Sequence, residues 1–368
     1  MAGVNRDIPA RANGQQSSER SDPCGRVHAP GFSSAFALRG RVVTPGEVIE
    51  DGAVVIEGAR IAWVGPHAQA PADAVPAVAA AAPPVRGRFI LPGLVDLHCH
   101  GGGGQSFPDA PSAEAARIAA QEHLRHGTTS LVGSLVTAAS DTLIRQAAIL
   151  ADLVDAGDLV GIHLEGPFIS PARCGAQNPA HVRVPDPNLL RRTAEAARGS
   201  LTTMTLAPEL PGAVGPAGIV ETLAHLGVVP SFGHTDCSAE QMRAGIVQAS
   251  GILSPRRPTA THLFNGMRPI HHRDPGPVLA CLAAAARGQM TVELVADGAH
   301  LAPATVAAVF NLAGPDSVAL VTDAMAATGM PDGRYVLGEL AVIVSDGVAR
   351  LAQGGSIAGG TAHLIDVL

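Results

Sequence analysis

RFILPGLVDLHCH, residues 88–100, is an apolar run that ends in two histidines one residue apart. A short apolar stretch bounded by glycine and proline reads as a buried strand. Residues i and i+2 of a strand project to the same side, so His98 and His100 are placed to face one centre. An isolated H-x-H pair is a weak signal, because two histidines on a surface turn look the same in sequence.

Similar apolar, β-like runs follow near residues 131, 163, 204, 231, 262, 294 and 321, at intervals of about 27 to 40 residues. Helix-forming stretches lie between them, among them SAEAARIAAQEHLRHG (112–127), with Ser112 as its expected N-cap, and SAEQMRAGIVQAS (238–250). Eight strand–helix units at this spacing predict an α/β fold, a (β/α)8 TIM-like barrel, over 89–330. No strand is followed by a G-x-G-x-x-G turn, and the GGGG at 101–104 is too degenerate to be one. Ahead of the barrel, AFALRGRVVT (35–44) and GAVVIEGARIAWVGP (52–66) predict a small β domain over 34–88. The segment AQAPADAVPAVAAAAPPVRG (68–87) reads as an Ala/Pro-rich connection with little helical promise. Residues 1–33 are polar and read as a disordered extension, or as an upstream start with no structural role.

Composition bounds the function. The 368 residues are 46% hydrophobic and 15% charged with 42 glycines, which suits a globular chain rich in turns. Aromatic residues make up only 3%, so aliphatic side chains must fill the core and stacking platforms for bases or sugars are scarce. A formal charge of −7 without a Lys/Arg stripe argues against a nucleic-acid partner. Five scattered cysteines with no C-x-x-C pair argue against a disulfide framework or a zinc ribbon and favour a reducing cytoplasm. An N-terminus without an apolar core, and no apolar run of 18 residues later, predict neither export nor a membrane span.

Four further strand ends carry a potential ligand: Glu165 in HLEGP, His234 in FGHTD, His262 in THLFN and Asp323 in VTDAM. Each alone reads equally well as a polar cap on the following loop. All of them fall at the C-terminal ends of barrel strands, where this architecture places its chemistry. Imidazoles with carboxylates suit Zn, Fe or Mn, and the residue types do not choose among these.

LPGLVDLHCHGGGG (91–104), GIHLEGPFIS (161–170), FGHTDCS (232–238), THLFNGMRP (261–269), ADGAHLAP (296–303), LVTDAMAATGMPDG (320–333) and GSIAGG (355–360) occur in one order. In that order they resemble the successive motifs of the N-acetylglucosamine-6-phosphate deacetylases of the amidohydrolase superfamily. The resemblance covers about residues 35–368. It implies a metal-bearing barrel beside a small β-sandwich, with residues 331–368 returning towards that sandwich. The implied activity is metal-dependent hydrolysis of the acetamide of N-acetylglucosamine 6-phosphate. Glu165, His234 and His262 match the family's metal ligands, while His98 and His100, absent from some members, imply a second metal bridged by Glu165. One or two divalent ions per subunit are therefore expected. Asp323 matches the general base and acid as well as a ligand, and His300 matches an oxyanion donor that also touches substrate.

Ala176, Gln177, Asn265, Gly266, Arg273, Ile357, Ala358 and Gly359 match positions that contact the sugar phosphate. Gln177 stands where some relatives have a substrate-facing histidine. Arg273 suits phosphate through its planar fork, and in the family it reaches the neighbouring subunit's site, implying a homodimer or higher homo-oligomer. His163, two residues before Glu165, is expected to support ligands or the core, and Cys174 to be an ordinary loop cysteine. The family pattern continues past GSIAGG by some 60 to 70 residues, so the chain reads as C-terminally truncated. Two other readings stand beside the active deacetylase: an inactive remnant of the family, and an amidohydrolase acting on another N-acyl or cyclic amide substrate.

Overall fold

The computed structural model describes residues 35–368 except 84 and 86, so the extension expected at 1–33 lies outside the described residues. The chain divides into two units, one up to Pro92 and one from Gly93. In the first, β1 (Phe36–Val43), β2 (Val48–Glu57) and β3 (Arg60–Pro66) form an antiparallel meander. A short helix, α1 (Val75–Ala80), follows where the prolines predicted none. Pro76 sits in its first turn, where a missing N–H costs nothing. Ala74 and Val78 are buried with Ala53 and Val55 of the sheet, which supplies the driving force.

The stretch 88–100 is two strands, not the single strand its apolar run suggests. Phe89–Ile90 (β4) pairs in parallel with β1, and β5 (Leu94–Cys99) begins the barrel. Pro92 and Gly93 separate them, because proline has no N–H for a ladder.

In the second unit β5 is followed by a tight hairpin of β6 (Gly101–Gly102) and β7 (Gln105–Ser106), then α2 (Ala113–Arg125), β8 (Thr128–Leu135), α3 (Ser140–Asp155), β9 (Gly161–Glu165), α4 (Pro187–Ala196) and β10 (Leu201–Leu206). The alternation continues through α5 (Ile219–His225), β11 (Val229–Phe232), α6 (Ala239–Leu253), β12 (Thr259–Ala260), α7 (Gly276–Ala285), β13 (Thr291–Leu294), α8 (Pro303–Ala313) and β14 (Val318–Leu320). The expected caps form: Ser112 Oγ accepts from Ala115 N, and Ser238 with Gln241 makes a capping box on α6. Eight parallel strands run in the order β14-β13-β12-β11-β10-β9-β8-β5. The seam between the last and first is drawn together just past the strand ends, where Asp323 N donates to His98 O (2.9 Å) and His100 N to Ala324 O (2.7 Å). This is the (β/α)8 barrel that the strand spacing predicts.

Outside the barrel sheet, Ile162, Met204 and Leu294 pack with the inner faces of the helices. Inside it, the lumen is polar. Ser134, His163, Thr205, Thr261, Ser231 and Thr259 form one chain of hydrogen bonds, buried except at Thr259, with lengths of 2.6–3.0 Å. Past β14, β15 (Gly333–Leu337), β16 (Leu340–Ser345) and β17 (Val348–Leu351) make an antiparallel sheet of their own within this unit, followed by α9 (Leu364–Val367).

Candidate metal and active site

Strand ends converge on one centre. Glu165 closes β9, and its Oε1 lies 2.9 Å from both His234 Nε2 and His262 Nε2, while its Oε2 lies 3.2 Å from His100 Nε2. On the seam, His98 Nε2 is 3.0 Å from His100 Nε2, and Asp323 Oδ1 is 3.5 Å and 3.2 Å from the two. Glu165, His234 and His262 form one set of ligand atoms within 4.8 Å of one another, and His98, His100 and Asp323 form another. All six side chains are buried. His163 is not among the ligands: it sits within the lumen chain against the edge of the His98 ring, 4.5 Å between centroids.

Backbone strain shapes the mouth. His234 (φ 48°), His262 (φ 27°) and Asp323 (φ 50°) all adopt the left-handed region that side chains avoid, at a cost on the order of 1–3 kcal/mol each. Gly266, at φ 61°, lies so close that a Cβ would stand 2.8 Å from His234 Nδ1, so no larger residue fits that approach.

The imidazoles are oriented from behind. His234 Nδ1 donates to Arg173 O (2.8 Å) and His100 Nδ1 to Ser134 O (3.3 Å), and His98 Nδ1 faces Glu293 Oε2 (3.3 Å). A proton held on Nδ1 leaves the Nε2 lone pair aimed inward, which is how protein histidines bind metals. His262 Nδ1 is buried without a partner. Gln177 Nε2 donates to Glu165 Oε2 (2.6 Å) while its Oε1 accepts from Thr137 N (2.7 Å), bracing the carboxylate.

Electrostatics agree with a cation site. Burial pushes Glu165 and Asp323 up, but the charges and hydrogen bonds of the surrounding histidines outweigh it and hold both well below the usual carboxylate range. Burial pushes His98, His100 and His234 down, and the two carboxylates reverse this, raising all three. Such a cluster draws positive charge to its centre, and a divalent ion can replace those protons.

One cavity is lined by His100, Glu165, Ala176, Gln177, His234, His262, Asn265, Gly266, His300, Asp323, Ile357 and Gly359. His98 is fully buried and does not line it. His300 Nε2 stands 3.6 Å from Asp323 Oδ2, and its Nδ1 donates to Asp297 Oδ2 (2.8 Å). Two expected substrate contacts stand elsewhere in this chain. Ala358 is turned into the core of the β15–β17 sheet with Val342 and Ala349. Arg273 is exposed, with Nη1 2.7 Å from His272 Nε2, because the loop that carries it leaves the cavity after Gly266.

Three supporting groups escaped the sequence reading. Asp96, buried on β5, accepts from His98 N and Thr322 N (3.2 Å each) and from Thr322 Oγ1 (2.6 Å), clipping the barrel seam. Its signal was present, since Asp96, His98 and His100 alternate on one face. Glu293 was visible as a lone charge inside the apolar run MTVELVA. Asp297 lies within the ADGAH motif, but nothing in the motif tells that it holds His300.

The amidohydrolase family model matches residues 89–363. A deacetylase of N-acetylglucosamine 6-phosphate from Lysinibacillus sphaericus is 35% identical over 277 residues, 74% of this chain and 68% of the relative. Its namesake from Bacillus subtilis is 33% identical over 333 residues, 85% of this chain and 76% of that protein. Among solved structures, the N-acetyl-D-glucosamine-6-phosphate deacetylase of Mycobacterium smegmatis, as a variant in complex with N-acetyl-D-glucosamine-6-phosphate, superposes with a TM-score of 0.79 at 39% identity, covering 91% of this chain and 82% of that one. The enzyme of the same name from Thermotoga maritima gives 0.72 at 26% identity, with 90% and 82% covered. Motif order, barrel and ligand geometry agree with these likenesses, and the chain belongs to the amidohydrolase family, among its N-acetylglucosamine-6-phosphate deacetylases.

Proposed function

We propose that the cavity hydrolyses the acetamide of N-acetylglucosamine 6-phosphate to glucosamine 6-phosphate and acetate, in amino-sugar breakdown or recycling. The observation that carries this reading is the convergence of Glu165, His234, His262, His98, His100 and Asp323 on one buried centre at the barrel mouth. Metal dependence is general in the amidohydrolase family, and the residues present fit a divalent ion because three of the histidines have Nδ1 turned to an acceptor and Nε2 turned inward. Glu165, His234 and His262 would hold one ion of Zn, Fe or Mn. His98, His100 and Asp323 would hold a second, with Glu165 between the two.

Such an ion polarises the amide carbonyl and lowers the pKa of water from about 15.7 towards 7. The chain supplies the remaining chemistry. Asp323, at the cavity wall, takes the proton from the attacking water and returns it to the departing amine nitrogen, which leaves poorly without it. His300 donates from Nε2 to the oxygen that gains charge. With its Nδ1 hydrogen given to Asp297, His300 has an Nε2 hydrogen only when charged. Burial alone would lower its pKa, but Asp297 and Asp323 raise it and keep that form. Asn265, Gly266, Ala176, Ile357 and Gly359 shape the sugar pocket, whereas Gln177 acts through Glu165.

The described cavity lining includes no Arg or Lys, so a phosphate needs cations from elsewhere. Arg273, exposed in each subunit, is proposed to serve a neighbouring copy, which makes a homodimer or higher oligomer functional. Among the described residues no helix is long and apolar enough to cross a membrane, and Cys99, Cys174, Cys237 and Cys281 are all unpaired. Work in a reducing cytoplasm agrees with this.

Amine release from N-acetylglucosamine 6-phosphate by metal-loaded protein tests the activity, and equal rates on unphosphorylated N-acetylglucosamine would contradict a phosphate-binding Arg273. For the metal count, the His98→Asn/His100→Asn double variant is expected to lose metal stoichiometry before activity disappears. Unchanged metal content would defeat the two-ion reading.

A further inference from the structure

Two of the strained ligand turns are built alike. At the seam, Asp96 accepts from Thr322 Oγ1 (2.6 Å) and Thr322 N (3.2 Å), and Thr322 Oγ1 accepts from Ala324 N (3.1 Å). At the end of β11, Glu209 accepts from Thr235 Oγ1 (2.5 Å) and Asp236 N (2.7 Å), and Thr235 Oγ1 accepts from Cys237 N (3.1 Å). Asp323 directly follows the first threonine, and His234 directly precedes the second. Each carboxylate comes from the next strand round the barrel or the loop just past it, Asp96 from β5 and Glu209 three residues beyond β10.

Glu209 does not line the catalytic cavity, and the helix that follows the turn is already capped by Ser238 with Gln241. Its grip reaches His234 by two routes. Through Thr235 Oγ1 and Asp236 N it holds the backbone just after His234, which stands at φ 48°. A left-handed backbone at a residue other than glycine persists only where the surroundings over-determine it. The second route runs through Arg173, whose carbonyl oxygen accepts from His234 Nδ1 (2.8 Å) while its Nε donates to Asp236 Oδ1 (2.7 Å). The group that orients the ring is thus tied to the residue that Glu209 holds. Were the turn to relax, His234 Nε2 would leave Glu165 Oε1, which it meets at 2.9 Å beside His262 Nε2.

We propose that Glu209, acting through Thr235 and Asp236, is the positioning residue that keeps His234 in its metal-ligating geometry, as Asp96 does for Asp323 at the seam. The inference rests on the reading of Glu165, His234 and His262 as a metal site. Supports behind a ligand are worth about 10–100-fold in metal affinity, and that affinity is where Glu209 acts.

The test is zinc alone on the full chain, with affinity read by competition against a coloured chelator, and the visible spectrum of the Co2+-loaded protein as a report on ligand geometry. Glu209→Ala and Thr235→Val are each expected to weaken zinc binding at least about tenfold and to alter the Co2+ spectrum. Thr235→Ser, which restores the hydroxyl, should return both to wild-type values. Should Thr235→Val fold poorly, Glu209→Ala at its partly exposed position decides the matter. Added to His234→Asn, Glu209→Ala should weaken zinc binding no further, because the ligand it positions is gone. An additive loss there would mean that Glu209 supports the fold in general, and would overturn the assignment. Wild-type zinc affinity in Glu209→Ala would overturn it alone, leaving the metal site standing. Wild-type affinity in His234→Asn would instead overturn the metal reading, and this inference with it.

Discussion

The two ligand groups that meet at Glu165 are held by different parts of the fold. In the group of Glu165, His234 and His262, two side chains are held from a loop: Gln177 braces the Glu165 carboxylate, Arg173 O orients His234, and both belong to the loop after β9. His98, His100 and Asp323 rest on the seam that closes the barrel, where Asp323 N donates to His98 O, His100 N donates to Ala324 O, and Asp96 ties Thr322 to His98. Loop-held ligands can lose geometry while the barrel stays folded. Seam-held ligands cannot move without disturbing closure, so there chemistry and stability are one problem.

The largest effect is expected at the seam's chemical end. Asp323→Asn keeps the side chain's shape but removes the proton carrier, and kcat should fall by about 10²–10⁴-fold. A loss under about tenfold would assign the proton to another group. Gln177→Ala strikes the loop-held group. It should lower metal affinity about 10–100-fold with the thermal midpoint little changed, as read by chelator competition beside a melting curve; a fall in Tm matching the loss of metal-free structure would erase the distinction drawn here.

Asp297→Asn removes the partner that raises His300. Because His300 donates only when protonated, the alkaline limb of the pH–rate profile should move to lower pH, and an unmoved limb would remove His300 from the donor role. The smallest effect is reserved for Asp96, whose carboxyl burial pushes up to about 6, with its hydrogen bonds opposing. An unfolded aspartate titrates near 3.9, so this group destabilises the folded state as pH rises from about 4 to 6, and its cost is absent below. In Asp96→Asn that slope should vanish because an amide does not titrate, and the seam should persist because the amide can still accept from the two N–H groups and donate to a reversed Thr322 hydroxyl. Urea midpoints at pH 4.5 and 7 that shift equally in variant and wild type would refute the account.

Legibility followed the range of the interaction. Strand periodicity put His98 and His100 on one face, and the strand-end positions of Glu165, His234, His262 and Asp323 were readable because the barrel sends every such end to one mouth. Asp96 shares that alternation, but an aspartate among apolar residues announces no chemistry by itself. Helix α1 is not legible from its prolines, because a proline in the first turn is harmless and the burial against Ala53 and Val55 that supports the helix is a long-range fact. Gln177 lines the cavity as its motif position implies, but that its amide also spans Thr137 N and Glu165 Oε2 is visible only in the fold. No local pattern encodes a partner 40 residues away.

By itself the sequence determined the alternation of strands and helices, the ends at which ligands stand, and the family, because periodicity and motif order are properties of the chain. The tertiary structure alone decided which Nε2 atoms meet which carboxylate oxygens, that His234, His262 and Asp323 bend through left-handed backbone to do so, and that Arg273 faces away. Those outcomes depend on angstrom-scale approach between elements far apart in the chain. Close packing sets that approach, and residue spacing does not encode it.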